Sequence, residues 1–259
     1  MPRATPPATP KPTPARRRGA WWLRWLGWTL LAGLSLQAWF ALRVGVLAWV
    51  DAPSTTFQRT EAWRLARTGE LGRWRHQGVP TERLSPQLMR AVIASEDSGF
   101  TEHFGVDWQA MQSAWQRNQR QWQQAARRAG DGPVRPARLA GGSTITQQLA
   151  KNLLLSGERT LLRKGQELLI AWMLEAMLDK RRILTVYLNS VEWGDGVFGA
   201  EAAARHYARK SAAQLSAAEA ARLAVLLPAP KRYGRRPDSA YLSGRAQTVL
   251  ARMPAVRLP

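Results

Sequence analysis

GGSTITQQLAKNLLLSGERTLLRKGQELL, residues 141–169, holds two helix signals in one run. A Gly-Gly pair places Ser143 and Thr144 where a helix begins, and Thr144 with Gln147 fits a capping box. Gln147 and Lys151 lie four apart on one face, with Gln148 beside them. Arg159, Arg163 and Lys164 follow, and Glu167 sits among these cations. A polar helix start, clustered cations and one carboxylate make a place for an anion, a phosphate above all. The spacing predicts a second helix over 163–180. The unbroken apolar run Leu168–Leu174 predicts that this helix is buried on nearly every side. Glu167 needs partners at its polar end, and Arg163 and Lys164 lie within one turn. The plainer alternative is a structural ion pair.

Upstream, Ser85-Pro86 reads as a cap followed by a first-turn proline. Leu88, Val92 and Ser95 recur at helical spacing, so a helix runs to Ser95 or Glu96 and ends at Ser98-Gly99. Glu96 then falls at a helix C-terminus. The negative end of the helix dipole and an apolar surround both disfavour its charge. Raised proton affinity is what a general base requires. By position alone, Glu96 and Asp97 also read as ordinary solvated acids. His103 offers a base, a metal ligand, or a buried ring that ties the loop together. Only three histidines are present (His76, His103 and His206). None is spaced as a pair, which favours the third reading. Asp107 is placed to cap a polar helix, rich in Gln and Arg, that runs over 108–128.

Downstream, helix continues over 181–187, and Asn189–Gly199 reads as a glycine-rich loop. Gly199–Ala208 reads as an Ala-rich helix. Ser216 and Glu219 form a second capping box, opening a helix over 217–227 that Pro228 and Pro230 stop. One more helix is expected within 237–253, and a short one over 60–68. Almost nothing reads as a β-strand.

Together these stretches resemble the peptidoglycan glycosyltransferases, glycosyltransferase family 51. AVIASEDSGFTEHFGVDW, residues 91–108, carries Glu96-Asp97, Phe100, His103, Gly105 and Asp107 of the first motif. Residues 141–152 match the second, Arg163-Lys164-x-x-Glu167 the third, RILTVYLNSVEWGDGVFGAEAAARHY (182–207) the fourth, and 217–230 the fifth. The resemblance spans about residues 84–237 and is to the monofunctional form, which lacks a transpeptidase domain. It implies a mainly α, lysozyme-like, two-lobed domain.

The chain has 259 residues and no cysteine, which excludes disulfides, thiolate zinc sites and a cysteine nucleophile. Residues 1–20 are rich in Pro, Thr and Arg and read as a disordered basic tail. Residues 21–50 are mostly apolar. Within them Trp25–Leu42 is free of charge, about long enough to span a bilayer core, and bracketed by Arg24 and Arg43. Trp21, Trp22, Trp25, Trp39 and Trp49 fit interfacial belts. The basic tail puts the N-terminus in the cytoplasm and residues 51–259 in the periplasm. A cleaved signal peptide is the rival, and Val50-Asp51-Ala52 is a poor cleavage site. Net charge is +20; residues 1–50 hold seven cations and no acid, so 20 − 7 = +13 remains beyond them. Such a domain is drawn to anionic surfaces. Residues 117–138 hold six arginines (Arg117, Arg120, Arg127, Arg128, Arg135 and Arg138) against Asp131. No nucleic-acid motif or stacking array accompanies them, so they read as a mobile basic loop for anionic headgroups or a lipid-linked substrate, with no nucleic-acid partner.

The resemblance implies polymerisation of lipid II, with a strand on undecaprenyl pyrophosphate as donor and the 4-hydroxyl of lipid II as acceptor. Glu96 and Glu167 are then the catalytic carboxylates, and Ser143, Gln148, Lys151, Arg159, Arg163 and Lys164 the substrate-binding groups. Glu96 takes the hydroxyl proton, and Glu167 organises the pyrophosphate side through its cations or a metal. No organic cofactor is needed. A divalent cation, Mg or Mn, is allowed by the resemblance, but no ligand set is evident. Lipid II, the growing strand and membrane lipid are the expected partners, with cell-wall or division proteins beyond them. Two rival readings are a glycan hydrolase, which has no use for so many cations, and a basic membrane adaptor without activity.

Overall fold

The structure is a computed structural model that describes residues 21–129, 141–155, 157, 158 and 160–259. The expectations for the tail at 1–20, for Arg159 and for Arg135 and Arg138 lie outside these residues. The chain divides after Trp39. The described part of the first unit, residues 21–39, is helical and almost wholly exposed. It belongs to α1, Trp21–Val46, which is long and apolar enough to cross a membrane.

The second unit, residues 40–259, is mainly α. Its helices are α2 (Thr56–Arg67), α3 (Pro86–Glu96), α4 (Trp108–Ala129), α5 (Ile145–Leu154), α6 (Leu161–Met177), α7 (Lys180–Ser190), α8 (Ala200–Ala203), α9 (Ala217–Ala224), α10 (Pro230–Tyr233) and α11 (Ala240–Arg252). Helix α5 packs on α6 and α7, and α3 packs on α9 and α11. Ile93, Ile145, Leu149, Ile170, Leu174, Ile183 and Trp193 are among the side chains buried between them.

Sequence sets the helix ends. Ser85 Oγ accepts from Gln87 N–H at the start of α3, with Pro86 in its first turn. Both bonds of the Thr144–Gln147 box are made, as are both of the Ser216–Glu219 box. A third box, Thr55 with Gln58, starts α2 at Thr56, four residues before the expected start. Asp107 Oδ1 accepts from Ala110 N–H and caps α4 as expected.

Several expectations are corrected. Helix α6 is not buried all round: Ile170, Ala171 and Leu174 are buried, whereas Leu169 and Trp172 are 41% and 39% exposed. Helix α4 covers the expected 108–128, so Arg117, Arg120, Arg127 and Arg128 lie on it and only the loop reading of these four is corrected. The loop over 189–199 contains a hairpin, β2 (Glu192–Gly194) with β3 (Val197–Phe198), and β1 (Arg75–His76) adds in parallel to β3. Gly199 follows at φ +86°, and a Cβ there would collide with the Gln77 carbonyl. The Ala-rich helix is regular only over 200–203 and continues as a wide π-type turn to Ala208. Helix α9 ends at Ala224, before the prolines, and Pro230 starts α10 instead of stopping a helix.

Candidate active site

Helices α5 and α6 present their polar ends to one cavity of about 330 Å³. Ser143, Gln148, Lys151, Arg163, Lys164 and Glu167 all line it. Five of the six expected binding groups therefore converge. The sixth, Arg159, is outside the described residues. Glu167 is nearly fully buried. Arg163 Nη1 donates to its Oε2 at 2.8 Å and Lys164 Nζ to its Oε1 at 2.5 Å. The pairs are one helical turn apart, so the spacing alone brings them together. Arg163 keeps a buried Nε without a partner among the described residues. Glu158 also lines the cavity and was not foreseen.

A second cavity, of about 150 Å³, is lined by Glu96, Asp97, Asp107, Ser143, Thr144 and Arg252 among others. Ser143 lines both cavities, so the two adjoin at the start of α5. Glu96 is the last residue of α3, as expected. Burial raises its proton affinity; the Gln148 amide, the charge of Arg245 and the Ser95 hydroxyl pull it back down, while Asp97 adds to the rise. Gln148 Nε2 donates to Glu96 Oε2 at 3.0 Å, and Tyr187 Oη donates to Gln148 Oε1 at 2.9 Å. Gln148 was expected on the phosphate. It lines that cavity, and its amide also donates to Glu96.

Asp97 and His103 hold this corner in shape. Asp97 accepts Ile145 N–H at 3.0 Å, pinning the loop after α3 to the start of α5. His103 Nε2 lies 2.9 Å from Asp97 Oδ1, and Lys180 Nζ donates to the His103 carbonyl at 2.7 Å. Thr144 Oγ1 donates to Gly105 O at 2.7 Å. His103 is thus a tie within the loop, as its isolation in sequence suggested. Arg245 and Arg252 were missed. They lie seven apart on one face of α11, a spacing visible in sequence, but nothing local linked them to Glu96.

Among the described residues no metal site assembles at the cation-rich cavity, where both oxygens of Glu167 are bonded to cations. Among the described residues, one trio of acids is close enough to hold an ion: Glu61, Glu192 and Asp195. Lys231 Nζ already lies 2.5 Å from Glu61 and 3.8 Å from Glu192, and Arg64 bonds Glu61 and Asp195. Built-in cations occupy the place a metal would take.

This arrangement sets a partly buried carboxylate beside a pocket of cations on a mainly helical frame. The family model described as Transglycosylase matches residues 65–254. A biosynthetic peptidoglycan transglycosylase of Bordetella pertussis is 47% identical over 254 residues, covering 96% of this chain and all of that protein. Proteins so named from Burkholderia orbicola and a Janthinobacterium species are 46% and 49% identical, over 90% and 89% of this chain and 92% and 94% of theirs. The chain belongs to the transglycosylase family.

Proposed function

We propose that this protein is a peptidoglycan glycosyltransferase that joins lipid II units into β-1,4-linked glycan strands with release of undecaprenyl pyrophosphate. The observation that carries the reading is that Glu96 and the Lys151–Arg163–Lys164 cavity adjoin through Ser143. A base and a cradle for a leaving pyrophosphate are needed side by side. Glu96 removes the proton of the acceptor 4-hydroxyl as the oxygen attacks the anomeric carbon. Charge grows on the departing pyrophosphate, and Lys151, Arg163 and Lys164 are set to receive it before the reaction begins. Arg159 is assigned to the same task from its place in the sequence. Glu167 acts through Arg163 and Lys164, holding both in place. A single displacement inverts the anomeric centre.

Membrane placement follows the same logic. Helix α1 serves as an uncleaved inner-membrane anchor, with the basic tail in the cytoplasm and residues 51–259 in the periplasm. Leu161 and Leu162, 91% and 89% exposed, precede Arg163 and Lys164. Trp108, Met111, Trp115 and Trp122 are exposed at helical spacing along α4, which also carries four arginines. Apolar side chains flanked by cations suit an anionic lipid surface. The test is incubation of the full chain in detergent with labelled lipid II. Polymer is expected; shortened pre-formed glycan would indicate a hydrolase, and no change an adaptor.

A further inference from the structure

Tyr187 is wholly buried on α7, and the reaction as described makes no use of it. Its hydroxyl donates to Gln148 Oε1, and Gln148 Nε2 donates to Glu96 Oε2. We propose that Tyr187 is a positioning residue for the base: it holds the Gln148 amide in the orientation that presents N–H, not C=O, to Glu96. The inference rests on Glu96 being the base.

An ionised carboxylate only accepts hydrogen bonds, whereas a side-chain amide is a donor at one end and an acceptor at the other. The amide is nearly symmetric in shape, so shape does not choose which end faces Glu96. Turned round, it would set two acceptors 3.0 Å apart, which is tolerable only if Glu96 holds a proton. The far end of the amide decides. Burial above all, then the charges of Glu96 and Asp97, keep the proton on Tyr187 well beyond the usual phenol range. Its O–H is therefore always present to donate, and the Gln148 carbonyl is where it goes. A phenyl ring at 187 would leave the Gln148 carbonyl without this donor and the amide without its orienting bond.

The other groups facing Glu96 are the Ser95 hydroxyl at 3.5 Å, Asp97 beside it, and Arg245 on α11, with Asp107 and Arg252 in the same cavity. Arg245 and Gln148 favour the charged form; burial and Asp97 oppose it. None of the others touches the amide's far end, so replacing Tyr187 isolates its contribution.

The experiment is kcat against pH for Tyr187→Phe at saturating lipid II. The acid limb should move up by about half to one pH unit, the worth of one buried orientation preference. Above the limb the rate should recover to within a few-fold of the unaltered enzyme. Gln148→Met removes the donor at similar length and should move the limb at least as far. Adding Tyr187→Phe to it should move the limb no further, because the two act in series. An equal loss at every pH, or additive shifts, would show Tyr187 to be packing alone. If Tyr187→Phe does not fold, fluorotyrosine at 187 keeps the shape and strengthens the donor, and the limb should move down; an unmoved limb overturns the inference. Failure of the base assignment itself is seen separately, as normal turnover by Glu96→Gln.

Discussion

Glu96 and Glu167 stand beside the same pair of cavities in opposite surroundings. Glu96 is partly buried and meets one amide, one distant hydroxyl and the charge of Arg245. Glu167 is nearly fully buried, with a cation on each oxygen. Burial without an ion pair leaves a carboxylate ready to take a proton; burial with two turns it into a fixed part that orders its partners. The proposed division of labour thus rests on the neighbours, since both residues end in the same group. Glu192 offers a third case. Burial pushes its pKa up to about 7, against the pull of Lys231 and a bond from Gly196 N–H. It lies outside both cavities, so the same cause should there affect stability alone.

Four substitutions can break or sharpen this contrast. Glu96→Gln keeps the shape but cannot accept the proton. It should lose at least ~100-fold in turnover while still binding lipid II, which kinetics and direct binding together check. Lys151→Ala should lower kcat/KM roughly 10- to 100-fold, the worth of one charge-assisted bond to phosphate. A melting curve should show the fold intact. Glu167→Gln should cost about 10-fold, since the cations remain but lose their anchor. The loss should deepen with added salt, which screens the loosened charges. Equal salt dependence in the unaltered enzyme would detach Glu167 from the cations. The smallest effect is on stability. Folded Glu192 holds its proton up to about pH 7, whereas an unfolded glutamate releases it near 4.5. The folded state therefore binds more protons in that window, and stability falls as pH rises through it. Glu192→Gln removes this dependence. Relative to the unaltered protein it should gain stability between pH 5 and pH 8, by up to roughly 3 kcal/mol, with activity little changed.

Much of the site was legible because its parts are local. The Thr144–Gln147 box, the spacing Arg163-Lys164-x-x-Glu167 and the place of Glu96 at the end of α3 are fixed by residues within a turn of each other. What could not be read depends on other elements. Gln148 lines the cavity with Lys151, as its place on α5 suggests, but its bonds to Glu96 on α3 and Tyr187 on α7 are not visible from α5 alone. Arg245 reaches Glu96 from about 150 residues away in the chain. The run Leu168–Leu174 looked buried all round because an unbroken apolar stretch says nothing about which face is covered; Leu169 and Trp172 prove open. The hairpin at 192–198 was missed because strands of two or three residues are too short for alternation to register. Helix α2 starts in the box of Thr55 and Gln58, four residues before the expected Thr60.

The central claim is that Glu96 is the base and that its surroundings raise its proton affinity. The direct measurement is the pH dependence of lipid II polymerisation at saturating substrate, in the unaltered enzyme and in Glu96→Gln and Glu167→Gln. With Glu96 as the base, an acid limb lies above the ordinary carboxylate range, persists in Glu167→Gln and vanishes from the residual rate of Glu96→Gln. A limb that survives in Glu96→Gln and vanishes in Glu167→Gln would contradict the assignment and exchange the two roles.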